Sequence, residues 1–221
     1  MALVVRGYKM SNTKLVWATP GGDDLVAYMA RASNPANQNN TATAPKLIKH
    51  LLDECHWSPL EMVSACVEIN TWRDIGRQIL RHRSFSFQEF SQRYADVSVL
   101  PDLGYRECRT QDTKNRQNSI VTDDAELITW FDTAQSDLIT DAQYHYHKAL
   151  EKGIAKEVAR TLLPEGLTPS RMYMSGTLRS WVHYLKVRSG NGTQKEHMQI
   201  AQQITEILRL EFPKVLEAAG L

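Results

Sequence analysis

The chain has 221 residues, 42% of them hydrophobic and 23% charged, with a formal net charge of +1. That length suits one domain with a substantial core, taken as a single unit over 1–221. The near-zero balance weighs against a global electrostatic grip on DNA or RNA, because such domains are strongly basic. Cys55, Cys66 and Cys108 form no CxxC pair and read as reduced thiols, not a disulfide framework. No apolar run reaches the ~18 residues of a membrane span. Ala2 to Val5 is apolar but too short for a secretory core, so the expectation is a soluble, intracellular, cytoplasmic protein.

In chain order, Lys14 to Ala18 is a short β-type run closed by Pro20-Gly21-Gly22. Asp23 and Asp24 open a helix through Arg31, with acids at its positive end. Ser33 to Thr41 is a polar loop. Pro45 to Glu54 sets Leu47, Ile48, Leu51 and Leu52 at helical spacing, and His56-Trp57-Ser58-Pro59 ends it. Alternation from Met62 to Ile69 predicts a strand. Asn70-Thr71 then caps a helix from Trp72 to about Arg83, on which Arg73, Arg77 and Arg81 share a face. Its last turn, Gln78 and Arg81, would sit at a pocket mouth.

Pro101 to Thr122 reads as a long polar loop. Thr122-Asp123-Asp124 caps a long amphipathic helix carrying Leu127, Phe131, Ala134, Leu138 and Ala142. Ala155 to Leu163 is a helix ended by Pro164, Met172 to Ser175 a strand, and Leu178 to Val187 a helix. Gln194 to Leu216 is a final helix with Ile200, Ile204, Ile207 and Leu208 inward. Helices and a few strands without strict alternation predict an α+β fold: a small mixed or antiparallel sheet covered by helices, with a long helical segment.

The segment Arg81-His82-Arg83-Ser84-Phe85-Ser86-Phe87-Gln88-Glu89-Phe90-Ser91-Gln92-Arg93-Tyr94 stands out. It combines fixed positive charge with neutral hydroxyl donors, the mixture that an anion pocket requires. A basic triplet alone commonly just faces water. The alternating Phe85, Phe87 and Phe90 cannot be solvated along the whole segment. RHR, two residues, Ser, one residue, Asn, two residues, Ser, one residue, Arg is the signature of the flavin-dependent thymidylate synthases. This chain resembles it with Ser86, Ser91 and Arg93, and departs at Gln88, where the family usually has Asn.

The resemblance runs from about Ala30 to Glu217. His56-Trp57-Ser58-Pro59-Leu60-Glu61, on its own a turn with a capping histidine, is similar to a family block that puts Ser58 on the flavin. Glu157-Val158-Ala159-Arg160-Thr161-Leu162-Leu163-Pro164 resembles E-x-A-R-x-x-L-P. Arg160 there sits amid apolar neighbours, so either Glu157 or a ligand anion pairs with it. Arg179-Ser180-Trp181-Val182-His183-Tyr184-Leu185-Lys186-Val187-Arg188 resembles R-S-x-x-x-F-L-x-x-R. Arg188 alone would suit a helix end; the resemblance gives it the uracil edge, where it polarises the ring.

What the resemblance implies is reductive methylation of dUMP to dTMP, with 5,10-methylenetetrahydrofolate as carbon donor, FAD as redox carrier and NADPH as reductant. The catalytic residues it implies are Arg188 and Ser91. We read Ser91 as a hydrogen-bond donor, since no histidine base is placed by sequence to activate it. The implied dUMP contacts are Gln78, Ile79, Leu80 and Arg81, then Glu89, Phe90, Ser91, Gln92 and Arg93, with Arg160 and Arg188. The implied FAD contacts are Ser58, Arg81, His82, Arg83 and Glu89, with Thr177, Leu178, Arg179 and His183. The resemblance further implies a homotetramer with shared active sites. No nucleic-acid or membrane partner is expected. Nor is a metal: His145 and His147, two apart, point to different helix faces, and HExxH, GxGxxG and Walker motifs are lacking. None of the cysteines has the Pro-Cys-Gln flanks of the thiolate-dependent synthases. Two other classes stand beside this one: a nucleotide- or RNA-binding module, and a flavoprotein reductase without methyl transfer.

Overall fold

The computed structural model describes residues 11–221. The apolar Ala2 to Val5 stretch lies outside the described residues. β1 (Asn12–Ala18) turns at Gly21, whose φ of 62° is left-handed, into α1 (Gly22–Ala30). Gly22 has no room for a Cβ, because the Phe212 ring and Val63 fill that space. α2 (Ala44–Asp53) buries Ile48, Leu51 and Leu52. A 3₁₀ turn at Ser58–Met62 leads into β2 (Ser64–Trp72), followed by α3 (Arg73–Ile79) and β3 (Ser86–Glu89). β4 (Arg109–Gln111) and β5 (Ser119–Val121) pair antiparallel, with Thr110 opposite Ile120. α4 (Ala125–Glu151) is capped by Asp124, which accepts from the N–H groups of Glu126 (3.1 Å) and Leu127 (3.0 Å). α5 (Lys156–Ala159), β6 (Pro169–Thr177), α6 (Leu178–Arg188), α7 (Lys195–Glu211) and α8 (Pro213–Ala219) complete the chain. The main sheet has the order β1-β2-β6-β3. This is the expected α+β fold, a small sheet with helices.

Two compact units divide these elements. In the sheet unit (Asn12–Ile69, Leu80–Gln88, Met172–Leu221) α6 packs on α7, α7 on β1, and α2 on α8. Its core holds Ile48, Leu60, Ile69, Met172, Met174, Trp181, Ile204 and Phe212, all without solvent exposure. Asp23 accepts from the N–H groups of Lys214 (2.7 Å) and Val215 (3.1 Å), tying α1 to the first turn of α8. In the long-helix unit (Asn70–Ile79, Glu89–Arg171, with Ser11) one cluster joins Val97, Tyr146, Ala149 and Ala159. A second joins Leu103, Ile139, Ala142 and Leu167. One turn before Ile139 on the same helix, Gln135 clasps the backbone of Arg106, accepting from its N–H (2.7 Å) and donating to its carbonyl (3.0 Å).

Several boundaries differ from expectation. β2 continues through Thr71 and Trp72, a β-branched residue and an aromatic that favour the strand, so Asn70-Thr71 is no helix cap. α3 is correspondingly short and ends at Ile79, with Arg81 beyond it. The polar loop contains the β4–β5 hairpin, whose turn forms where Asp112 accepts from the N–H groups of Lys114 (2.8 Å) and Asn115 (3.1 Å). α4 buries Gln135, Ile139, Ala142, Tyr146 and Ala149; of the expected stripe Ala142 is buried, Leu127 and Phe131 are half-buried, and Ala134 and Leu138 are exposed. Trp130, Leu138 and Tyr144 are 66%, 50% and 60% exposed, so α4 is apolar on two faces, of which the described residues cover one. The helix expected to Leu163 becomes a 3₁₀ turn at Arg160–Leu162. The last helix breaks at Phe212, where Pro213 starts α8.

Candidate active site

In the sheet unit the Arg81-His82-Arg83 segment forms a tight turn, with the Phe85 N–H donating to the His82 carbonyl at 3.2 Å. Phe85 is buried edge-on against Trp181, their centroids 4.7 Å apart. It lies over Gly176 of β6, where any side chain would overlap its ring. Ser180 Oγ donates to the Ser84 carbonyl (3.2 Å) near the start of α6, and Arg188 Nε donates to His82 Nε2 (2.9 Å) at its end. The segment is therefore fastened along the length of α6. An arginine has no acceptor, so His82 Nε2 offers its lone pair and the ring proton sits on Nδ1. Burial first, then the charges of Arg188 and His183, pull His82 down to about 4, which keeps it neutral at physiological pH.

Beside this turn opens a cleft of about 1000 Å³, at the upper end of ligand-pocket sizes. Arg179, His183 and Lys186 line it from α6, at spacing i, i+4, i+7 on one helical face. Ser84, Thr177 and Ser180 supply hydroxyls, and Trp57 and Met62 an apolar wall. Thr177 caps α6, accepting from the Ser180 N–H at 3.4 Å, so the positive end of that helix opens on the same cleft. Glu61 of the His56 to Glu61 turn pairs with Arg179. Two cations (Arg179 and Lys186), the His183 ring, hydroxyl donors and an indole fit a ligand that carries both phosphates and flat rings.

In the long-helix unit the arginines of α3 gather on Glu89, Arg73 largely covered and Arg77 exposed. Arg77 pairs with Glu89, and Arg73 lies 3.8 Å from the same carboxylate. Glu89 also accepts from Ser170 Oγ at 2.8 Å. Arg93 pairs with Glu157 at 3.2 Å, both side chains more than half exposed, a pair worth ~0–1 kcal/mol. Arg160 donates through Nε to the Glu157 carbonyl (3.3 Å), not to its carboxylate. Gln92 is 4% exposed, and its Nε2 has no acceptor among the described residues. A buried unpaired donor costs roughly 1–3 kcal/mol, a cost that a ligand oxygen would remove.

Of the residues singled out in the sequence, Thr177, Arg179 and His183 line the cleft, and His82 and Arg188 meet. Ser58, Arg81 and Arg83 are exposed and are not part of the cleft wall. The Ile79 and Leu178 side chains are fully buried, so any ligand contact there falls to backbone. Gln78, Leu80, Glu89, Phe90 and Arg160 are partly buried; Ser91 is exposed, and its Oγ has no hydrogen bond among the described residues. Sequence reasoning missed Lys186, although the helical period from Arg179 points to it. It also gave no role to Trp57, Glu61 and Ser180, while Ser84, one of the hydroxyls of the 81–94 segment, is in the lining. Among the described residues no cluster of His, Cys, Asp or Glu could hold a metal ion, and no helix is long and apolar enough to cross a membrane.

The family model described as thymidylate synthase complementing protein matches residues 14–214. A protein of Paramecium bursaria Chlorella virus 1, named a probable flavin-dependent thymidylate synthase, is 49% identical over 89% of both chains. The flavin-dependent thymidylate synthase of Synechocystis is 47% identical, over 89% of this chain and 88% of its own length. Among solved structures, the UMP/dUMP methylase PolB of Streptomyces cacaoi, bound with 5-Br dUMP, superposes with a TM-score of 0.82. It is 26% identical and covers 95% of this chain and 94% of its own. The chain belongs to the thymidylate synthase complementing protein family, the flavin-dependent thymidylate synthases.

Proposed function

We propose that this protein makes dTMP from dUMP by reductive methylation, with FAD in the α6 cleft, NADPH as reductant and 5,10-methylenetetrahydrofolate as carbon donor. The observation that carries the reading is the Arg188–His82 hydrogen bond (2.9 Å) on the helix whose other side chains line the cleft. Bound flavin supplies the hydride chemistry that no side chain here provides. Arg179, His183 and Lys186 would hold its phosphates, with Thr177 and the start of α6. Arg188 would meet the uracil edge and stabilise negative charge as it develops on a ring carbonyl. His82 accepts from Nε, which directs the remaining guanidinium N–H groups elsewhere. Gln92, with its orphan amide, supports the assignment of its segment to the nucleotide, and Ser91 would donate a hydrogen bond there.

Two of the three cysteines fit a reaction without a thiolate. Cys66 and Cys108 are buried, and that burial raises both thiols. We take residues 1–221 as a single catalytic domain and, on the reduced-thiol reading, place the enzyme in the cytoplasm. The uncovered apolar face of α4, with Trp130, Leu138 and Tyr144, supports assembly of several copies, here a homotetramer. The test is direct. The purified protein should be yellow, be bleached by NADPH, and form dTMP when dUMP and methylenetetrahydrofolate are added. A colourless, inactive protein that binds nucleotide would support the binding module instead; bleaching without dTMP would support a plain reductase.

A further inference from the structure

Beneath Arg188 lies a buried polar chain that the assigned chemistry does not use. Tyr184 and His197 are both without solvent exposure, and Tyr184 Oη lies 3.1 Å from His197 Nε2. The Tyr184 ring packs edge-on to His82, centroids 4.8 Å apart and planes at 84°. Arg188 follows Tyr184 by four residues on α6, so the two share a helical face. The order is thus His197, Tyr184, His82, Arg188. Phenylalanine and leucine would fill these two positions without burying a phenol and an imidazole, groups that are costly to bury unless they are mutually satisfied. Packing alone does not account for them.

We propose that Tyr184 and His197 are positioning residues: their hydrogen bond fixes the Tyr184 ring, which fixes the His82 plane so that Nε2 faces Arg188. The inference rests on the reading of Arg188 given above. The hydrogen bond sets the depth and tilt of a ring whose other ring neighbours, His82 (4.8 Å), Phe85 (5.9 Å) and Trp181 (5.9 Å), meet it by packing. A ring that can tilt lets its edge-packed partner rotate, and a rotated imidazole no longer presents its lone pair to Arg188 Nε. Burial, with Arg188 and His82 next, pulls His197 down to about 3 and keeps this imidazole neutral as well.

The test uses the flavin-loaded protein with Tyr184→Phe and with the double variant Tyr184→Phe, His197→Leu. The double variant removes both members of the Tyr184–His197 hydrogen bond together, and turnover of each variant is read below its own thermal midpoint. Turnover at saturating dUMP should stay about 10-fold or more below wild type in both variants, since small misplacements of a reacting contact cost up to about 100-fold. The ¹⁵N signal of His82 Nε2, read at 25 °C below any midpoint, should move as its bond to Arg188 loosens. The proposal needs both results: wild-type turnover in the double variant, or an unmoved His82 signal, overturns it. Arg188→Ala run in parallel separates the two ideas. Full turnover in that variant removes the reading of Arg188, whereas the His82 signal reports the bracing whatever Arg188 does.

Discussion

Arg188→Ala is the sharpest perturbation of this site. Arg188 is partly buried at the last turn of α6, and its Nε is already committed to His82 at 2.9 Å. The side chain is therefore held before any substrate arrives, and its charge acts without a search over rotamers. Loss of such a charged contact in a partly dry site costs roughly 2–4 kcal/mol of transition-state stabilisation, or about 30- to 1,000-fold in rate. Flavin content should not change, because the cleft is lined by Arg179, His183 and Lys186 and not by Arg188. Arg188→Lys keeps the charge but lacks the guanidinium fork, and it should recover little of the loss. The assay is single-turnover dTMP formation from reduced, flavin-loaded protein at saturating dUMP, with bound flavin followed by absorbance. Near wild-type turnover in Arg188→Ala, with flavin retained, would refute the role.

Replacing Cys55, Cys66 and Cys108 together with alanine should leave measurable dTMP formation; if Cys55→Ala alone ends turnover in a folded protein, the thiolate-free mechanism is wrong. Ser91→Ala should weaken dUMP binding yet keep single turnover within about a hundredfold, the ~3 kcal/mol reach of one lost donor; a complete stop with dUMP bound would make Ser91 a nucleophile. Stability should fall with acid, because His82 (about 4) and His197 (about 3) both lie below the ordinary 6.5 when folded. The unfolded imidazoles take up protons near 6.5 and the folded ones do not, so this contribution is complete above about pH 6.5. It is lost as pH falls toward 4 for His82 and toward 3 for His197, by up to about 1.4 kcal/mol per pH unit for the buried His197 ring and by less for the half-buried His82, where solvent screens the charge. Equal denaturant midpoints at pH 7.5 and 5.5 would sink that account. Gly176→Ala should lower the thermal midpoint by the equivalent of about 1–3 kcal/mol, since its methyl must displace Phe85; an unshifted midpoint would mean that the Phe85 ring yields freely.

The periodic elements were legible from sequence because each buries one clear face: α2 through Ile48, Leu51 and Leu52, and α7 through Ile200, Ile204 and Leu208. Errors arose where one residue serves two patterns. Thr71 and Trp72 could end a strand or begin a helix; in the structure they end the strand, with the Trp72 ring packed over Gly104. α4 carries apolar residues on two faces, and sequence cannot tell which of them the same chain covers. The chemistry-bearing motifs were legible because they are local. Their pairings were not: Arg188 and His82 are 106 positions apart, and Arg179 and Glu61 are 118 apart. His197 was read as nothing more than a helix residue, since nothing nearby in sequence announces the buried phenol it meets.

Helix α6 explains why so much of the site hangs on one short stretch. Arg179, His183 and Lys186 fall on one side of it, toward the cleft. Tyr184 and Arg188, at i+5 and i+9 from Arg179, fall on the opposite side, against His82 and His197. The two sets are rigidly linked, because an α-helix fixes the angle between its faces. A ligand held by the first set is thereby placed in register with the group held by the second. The 81–85 turn completes the link: Ser84 is bound to Ser180 on the cleft side, while His82, two residues earlier, is bound to Arg188 on the other. A substitution that rotates α6 by even a fraction of a turn should therefore damage flavin retention and turnover together, whereas one that loosens only His82 or Tyr184 should damage turnover alone.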